Sequence, residues 1–450
     1  MSKKSNQSRR DFLKTTGKSA FWLSMATAVP SIVPSNVMGA DAPSDKLTVG
    51  CIGLGWRGSD LMEGAMRNPN IQIAALCDLD RPYLLHAMKR LDDNDGIDRE
   101  WIEGRGSKMV RPALPKKAVQ GYDRHERLLE RKDLDAVLIA VPDHSHARLY
   151  IDAMQSGRDI YGEKPLTLTI NQGRDLVRVA RETGCVFQTG SQQRSDAKFR
   201  QACEYVRSGR LGKIHSVLVG VGGAPQVEGV PDEAVPAGLN WDGWLGAAPK
   251  VPYNPLRQRV QFRWFFEYSG GMVTDWGAHH LDITQWGLGM DGSGPLSVEG
   301  TADVKPGFYN TFTSFNFTFK YPNDITVKFG PGSRSGITFQ GEKGEIWVTR
   351  GKIEANPTSI FDEPLTSSDV KLYKSDNHMQ NWVDCIKTRE LPICDVEVGH
   401  RSVSVCHLAN ICGQLGRKLN WDAKNEIFVN DTNANQMLDR EERDPYQHMG

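Results

Sequence analysis

A chain of 450 residues is too long for one ordinary core and suits two or three domains of roughly 150 residues each. With 24% charged residues and 39% drawn from the AVILMFWYC set, it can bury large cores and is not disordered overall. Lys+Arg and Asp+Glu are equal at 55 each, so no basic field exists to hold a phosphate backbone, which argues against a nucleic-acid partner.

The first element is a targeting segment. Ser8-Arg9-Arg10-Asp11-Phe12-Leu13-Lys14 precedes an apolar stretch, Ser19 to Val29, and then Gly39-Ala40-Asp41-Ala42. Paired arginines, a short apolar run and small residues read as a twin-arginine export signal cut near Ala40 to Ala42, with the translocation machinery as a transient partner and the periplasm as the destination. The apolar run falls short of the ~20 residues that span a bilayer, so no membrane span is expected and the mature chain should be soluble. None of the eight cysteines forms a C-x-x-C pair, and Cys51, Cys77 and Cys185 sit in apolar runs, so buried free thiols are expected.

Leu47 to Ile52 is an apolar strand running into Gly53-Leu54-Gly55-Trp56-Arg57-Gly58, followed by a helical pattern with Leu61, Met62, Ala65 and Met66. A second strand, Ile71 to Leu76, ends at Asp78, twenty residues past Gly58. G-x-G-x-x-G is weak alone, but in this strand–turn–helix–strand–acid setting it predicts a Rossmann dinucleotide site. The helix N-terminus faces the pyrophosphate, and Asp78 accepts from the ribose hydroxyls and repels a 2′-phosphate, favouring NAD over NADP. Residues 92–120 are polar and rich in Gly and Pro, an expected insertion on the sheet rim. Leu134 to Val141 reads as a parallel strand buried on both faces. It ends in Pro142-Asp143-His144-Ser145-His146, which makes Asp143 and His146 candidate cofactor neighbours or helix caps. The next strand ends at Glu163-Lys164-Pro165, and a helix to Glu182 and a strand from Cys185 to Thr189 complete the sheet.

From about Ser191 the texture changes. Phe315, Phe317, Phe319 and Tyr321 alternate with polar residues, a turn at Pro322-Asn323-Asp324 follows, and Ile325, Val327 and Phe329 alternate again. Gly336 to Gln340 and Glu345 to Thr349 flank a second turn. This period of two predicts an antiparallel sheet with one apolar face. Between the domains, Asp275-Trp276-Gly277-Ala278-His279-His280-Leu281-Asp282 places Asp275, His279 and Asp282 on one face, provided one helix includes them all. A carboxylate one turn from an imidazole can orient a general base, while the bland reading is a capping aspartate and a surface histidine. Adjacent histidines point about 100° apart on a helix and chelate poorly, so no metal is expected.

Taken together, the Gly53–Gly58 turn, Asp78, Glu163-Lys164-Pro165 and Asp275-x-x-x-His279-x-x-Asp282 resemble the Gfo/Idh/MocA oxidoreductases, which include inositol dehydrogenase and glucose–fructose oxidoreductase. Gly416 to Asp422 is similar to a subgroup common among exported bacterial members. The resemblance implies that Lys164 touches nicotinamide ribose and substrate, with Glu163 beside it, and that Asp275 and His279 bind the reacting hydroxyl. It also implies tightly held NAD, and an open sheet used for homodimer or homotetramer contacts. Arg194, Arg263, Trp264, Tyr268, His280 and Asp282 are candidates for the pocket of a sugar or polyol. The rival reading is an NAD-dependent glycoside hydrolase that oxidises its sugar transiently; Trp56-Arg57-Gly58 resembles that branch, whereas Lys164 favours a dehydrogenase. A sugar-binding module without chemistry is a third reading, against which the complete lysine, aspartate and histidine set speaks. The expected fold is α/β: a signal over 1–42, an N-terminal Rossmann NAD-binding domain over 43–190, a C-terminal α+β domain with an open, mostly antiparallel sheet over 191–430, and an extended tail over 431–450.

Overall fold

The computed structural model describes residues 46–92 and 119–446. The twin-arginine segment lies outside them, as does nearly all of the insertion read at 92–120.

Six short strands form the first sheet: β1 (Leu47–Ile52), β2 (Ile71–Cys77), β3 (Gln120–Tyr122), β4 (Ala136–Ile139), β5 (Asp159–Gly162) and β6 (Phe187–Thr189). They are parallel, in the order β3-β2-β1-β4-β5-β6. Chain direction across the sheet reverses between β1 and β4, which places a ligand crevice beyond their carboxyl ends. All four β4 positions are buried, as expected of a strand covered on both faces. Helices α1 (Trp56–Met66), α2 (Arg81–Asp92), α3 (His146–Gln155) and α4 (Ile170–Thr183) supply part of that cover. The Thr169 hydroxyl caps the start of α4 by accepting from the Gln172 N–H, and Gly184, left-handed at φ 66°, ends it.

The rest of the cover comes from far along the sequence. Two further helices, one over His378–Thr388 and one over Val396–Leu415, return to the first sheet. Trp382, Val383 and Ile386 join a core with Val49, Ala65 and Leu138, while Val396 and Val403 join the core on Val137 and Phe187. The sequence boundary at residue 190 is therefore not a boundary of packing.

The second sheet has nine strands in the order β13-β12-β11-β7-β10-β9-β8-β14-β15. They are β7 (Ile214–Gly220), β8 (Ser297–Asp303), β9 (Ser314–Lys320), β10 (Thr326–Gly330), β11 (Gly336–Gly341), β12 (Gly344–Thr349), β13 (Lys352–Asn356), β14 (Leu419–Asp422) and β15 (Ile427–Phe428). Only β7 and β10 pair in parallel. The period-two reading holds residue by residue: Phe317, Phe319, Val327 and Phe329 have no exposed surface, while Asn316, Lys320 and Lys328 face outward. Helices α5 (Ala197–Arg207), α6 (Met272–Asp275) and α7 (Gly277–Leu288) lie on the apolar face. All eight cysteines are buried free thiols.

Two irregular segments cross between the sheets. The stretch from Gly222 to Phe262 contains a short helix at Trp241–Leu245 and docks against the turn after β2. There the Asn240 N–H donates to the Leu79 carbonyl and the Arg81 N–H to the Gly238 carbonyl, both at 3.0 Å. The C-terminal stretch, expected as an extended tail, is fastened down. Arg443 donates to the Asp242 carboxylate and to the carbonyls of Asp242, Gly246 and Ala248, and Arg440 donates to the carbonyls of Phe266 and Glu267. Its two arginines find backbone carbonyls of the body, a pairing that acidic, Asn-rich composition does not reveal.

Candidate active site

The glycine turn has the geometry a dinucleotide needs. Gly53 sits at φ +81°, and a Cβ there would lie 2.5 Å from the Ala140 carbonyl. A Cβ on Gly58 would lie 1.8 Å from the Gly53 carbonyl, so only glycine lets α1 start this close to β1. Around Gly55 the space is open, which leaves room for a phosphate at the uncapped start of α1. Asp78 fastens the same loop: Oδ2 accepts from the Leu54 N–H at 2.7 Å and Oδ1 from the Asp80 N–H at 2.8 Å. Burial pushes its carboxyl up to about 6, against those backbone bonds. Leu54 and Gly58 thus shape the loop, while Gly53, Gly55, Trp56, Arg57 and Asp78 line the cavity beside it.

That cavity has a volume of about 1440 Å³, above the ~300–1,000 Å³ of an ordinary small-ligand site, and suits a dinucleotide together with a second molecule. Asp143, Glu163, Lys164, Arg263, Trp264, Asp275 and His279 share its wall. The Lys164 ammonium donates to the Asp275 carbonyl at 2.6 Å and to Oδ1 of the same residue at 2.8 Å. Arg263 Nε donates to that Oδ1 at 3.2 Å. Burial raises the Asp275 carboxyl, but the charges and hydrogen bonds of Lys164 and Arg263 prevail and hold it at about 2. On the same wall, Glu163 Oε1 accepts from Arg57 Nε at 2.7 Å and from the Gln192 amide at 3.0 Å, tying the glycine turn to the lysine turn.

His279 is 6% exposed, and burial first, then the charges of Lys164 and Arg350, push its imidazole well below the usual histidine range. Its ring is neutral at pH 7 and able to accept a proton. Asp275 does not orient it. The helix expected to carry both residues breaks at Trp276, because the Asp275 carbonyl is taken by the Lys164 ammonium and the His279 N–H bonds the Trp276 carbonyl instead, at 3.1 Å. Asp143 is buried beside this group, accepts from the Ser269 hydroxyl, and is pushed up to about 7 by burial.

Besides Leu54 and Gly58, five candidates lie off the cavity wall. Arg194 and Asp282 are 1% and 0% exposed and pair with each other, Nε lying 2.9 Å from both carboxylate oxygens; Asp291 and Ser402 complete the pairing. Tyr268 is 1% exposed within an aromatic cluster with Trp244 and Phe265. His280 Nδ1 bonds the Gly220 carbonyl at 2.9 Å, and His146 contacts the carbonyls of Pro165 and Val141, so both serve packing between elements. Sequence reasoning missed Gln193, Trp276 and Arg350. Arg350 stands after β12, and its guanidinium lies 4.8 Å over the Trp276 ring. With its amide turned to satisfy both ends, Gln193 donates to the His279 carbonyl at 3.0 Å and accepts from Arg350 Nε at 3.3 Å. No local motif marks an arginine on a strand turn that reaches a site this far away.

A doubly wound sheet with a glycine cradle at its switch point, facing a lysine, an aspartate and a histidine, defines the class of nicotinamide-dependent oxidoreductases built on a Rossmann domain. Residues 47–191 match the oxidoreductase family's NAD-binding Rossmann fold, and residues 224–448 match that family's C-terminal alpha/beta domain. The chain belongs to the Gfo/Idh/MocA oxidoreductases. A glycosyl hydrolase family 109 protein of Shewanella pealeana is 34% identical over 185 residues, 39% of this chain and 37% of that one, so the chain spans little more than a third of that relative. The scyllo-inositol 2-dehydrogenase (NAD(+)) of Bacillus subtilis is 26% identical over 311 residues, 65% of this chain and 78% of that one. In structure, the WlbA dehydrogenase from Bordetella pertussis, in complex with NADH and UDP-GlcNAcA, superposes with a TM-score of 0.60 at 16% identity. That match covers 84% of this chain and 99% of the other and establishes a shared fold.

Proposed function

We propose that the chain is an NAD-dependent oxidoreductase that oxidises a carbinol of a sugar, polyol or glycoside and keeps its cofactor bound between turnovers. The observation that carries this reading is the Lys164–Asp275 pair beside a neutral His279, in one cavity with the glycine turn. Gly53, Gly55, the start of α1 and Asp78 would hold the dinucleotide, and bound NAD supplies the hydride acceptor. The His279 imidazole takes the hydroxyl proton. The Lys164 ammonium, fixed by two bonds to Asp275, stabilises alkoxide character on the substrate oxygen, a contribution of several kcal/mol where water is excluded. Arg263 holds the same carboxylate from the other side and keeps Asp275 from collecting the proton.

Retention of the cofactor is supported by the two segments that cross its cleft. The docked loop at Gly238 to Gln258 and the fastened C-terminal stretch, whose Pro445 and Tyr446 line the cavity, both lie on the Asp78 side. Export through the twin-arginine route, supported by Ser8 to Lys14, belongs to the same reading, since a periplasmic dehydrogenase must recycle its nicotinamide in place by reducing a second carbonyl substrate. Purified protein, denatured and assayed for nucleotide, should release NAD or NADH, and adding the substrate sugar should change the nicotinamide absorbance. Material that folds and carries no nucleotide would overturn the reading. Loss of export in Arg9→Lys/Arg10→Lys checks the route.

A second reading is favoured by Trp56-Arg57-Gly58 and by the relative of Shewanella pealeana: redox-neutral glycoside cleavage through transient oxidation. Release of free sugar from a chromogenic glycoside without net NADH would select it.

A further inference from the structure

Carboxylates and cations both line the reaction site, but they pair unevenly. Lys164 and Arg263 share the single carboxylate of Asp275, while Arg57 is matched by Glu163 and His279 is neutral. Arg350 adds a further cation to the same wall. Among the described residues it makes no ion pair. Its Nε is engaged by Gln193 and its plane lies over Trp276, which fixes the direction of the guanidinium. Neither terminal nitrogen has a hydrogen-bond acceptor among the described residues. Asp196, whose charge also reaches Arg350, is turned away to cap α5 by accepting from the Lys198 N–H at 2.7 Å.

A planar cation held in place by an amide and an aromatic face, with its fork uncommitted, is built to receive a paired-oxygen anion. Burial and the like charge of Arg57 press its guanidinium below the ordinary arginine range, a cost that a bound anion would offset. Trp276 connects this position to the chemistry, since the same ring lies edge-on to His279 with centroids 5.9 Å apart. Arg350 and His279 thus both stand against the Trp276 indole, so an anionic group received by Arg350 would share the cavity wall with the proton acceptor.

We propose that the substrate is an anionic sugar, with Arg350 receiving its carboxylate or phosphate oxygens while Lys164 and His279 engage the hydroxyl to be oxidised. This rests on the oxidoreductase reading above and adds the substrate's charge class. An uncharged polyol would leave the Arg350 guanidinium without an ion-pair partner, whereas an anion pairs with it and orients the ring at two points.

The test uses the as-purified holoenzyme and sets of three glycosides, the neutral sugar, its uronate and its sugar phosphate, in gluco, galacto and manno configurations. Bound-nicotinamide absorbance reports turnover, and calorimetry reports binding. An anionic member should exceed its neutral counterpart in kcat/KM by about 10- to 100-fold, as a charge-assisted hydrogen-bonded pair would give. Arg350→Gln should reduce that ratio by the same factor, Arg350→Lys should reduce it less, and rising salt should weaken binding of the anionic member selectively. Preference for the uronate or for the phosphate identifies which anion is received. Equal use of neutral and anionic sugars, or an Arg350→Gln loss shared equally by all three, would overturn the anionic class while leaving the oxidoreductase reading intact. Reduction of bound cofactor by none of the nine would overturn both.

Discussion

The Lys164 ammonium and Asp275 are joined at two points, the carboxylate and the backbone carbonyl, across a separation of 111 residues. The bond to the carbonyl removes the acceptor that would have continued the helix into α7, so one contact both places the ammonium and breaks the helix at Trp276. Lys164→Ala should therefore cost more than a charge. Turnover is expected to fall by about 100- to 10,000-fold, with nucleotide still bound. Lys164→Met, which keeps the packing stem, should be equally inactive. An active Lys164→Met enzyme would show that the ammonium takes no part in the chemistry.

Arg194 and Asp282 are expected to matter for stability alone. Both are buried, and each is the other's partner. Asp282→Ala would leave the buried Arg194 with Asp291 as its remaining carboxylate partner, at a cost of about 3–5 kcal/mol, read as a lower midpoint in urea unfolding. Asp282→Asn should cost less, and its folded fraction should retain cofactor and kcat. A specific loss of kcat in a fully folded Asp282→Asn protein would return Asp282 to the active site.

The contrast between these two pairs shows what was legible. The glycine turn, Asp78 and the Glu163-Lys164-Pro165 turn could be read because backbone geometry at a strand end is local: the spacing that admits a phosphate lies within six residues. The alternation of Phe315, Phe317 and Phe319 was readable for the same reason. Arg194 and Asp282 carry the same functional groups as true ligands, and only their mutual burial, set by packing 88 residues apart, removes them from the pocket. Arg350 was likewise invisible, since its place depends on how distant elements meet.

Acid should destabilise the fold steeply. Burial lowers His144, His146, His280 and His378 to about 4 and His407 to about 3. These rings are neutral when folded and gain protons on unfolding, so the unfolded state binds more protons between about pH 4 and 6.5, and stability falls as pH drops through that window. Asp78 and Asp143, raised to about 6 and about 7, act in the opposite sense over the same range, since there the folded state binds their protons. Five groups outweigh two, and the net loss should reach a few kcal/mol per pH unit, at about 1.4 kcal/mol for each uncompensated group. Urea midpoints measured from pH 7.5 to 4.5 check this. A midpoint that is flat or rises toward acid would mean that these rings are already charged in the native protein.

The C-terminal stretch should govern how long the cofactor stays. Arg443 bonds to Asp242, Gly246 and Ala248, the Tyr446 hydroxyl bonds to the Asp242 carboxylate at 2.8 Å, and Pro445 and Tyr446 line the cavity. Asp242 begins only two residues after the Asn240 contact with Leu79, next to Asp78, so the stretch and the loop brace each other over that side of the cleft. Arg443→Ala removes several charge-assisted bonds, each worth about 1.5–3 kcal/mol when fully formed, and the stretch can relax to offset part of the loss. Release of bound NADH, followed by its fluorescence in the presence of a scavenging dehydrogenase, should quicken by about tenfold or more. Truncation after Asp439, which also removes Arg440, should quicken it further, while thermal stability of the sheets changes little. If both variants release nucleotide at the parental rate, the stretch is a surface ornament, and retention must come from the glycine turn and Asp78 alone.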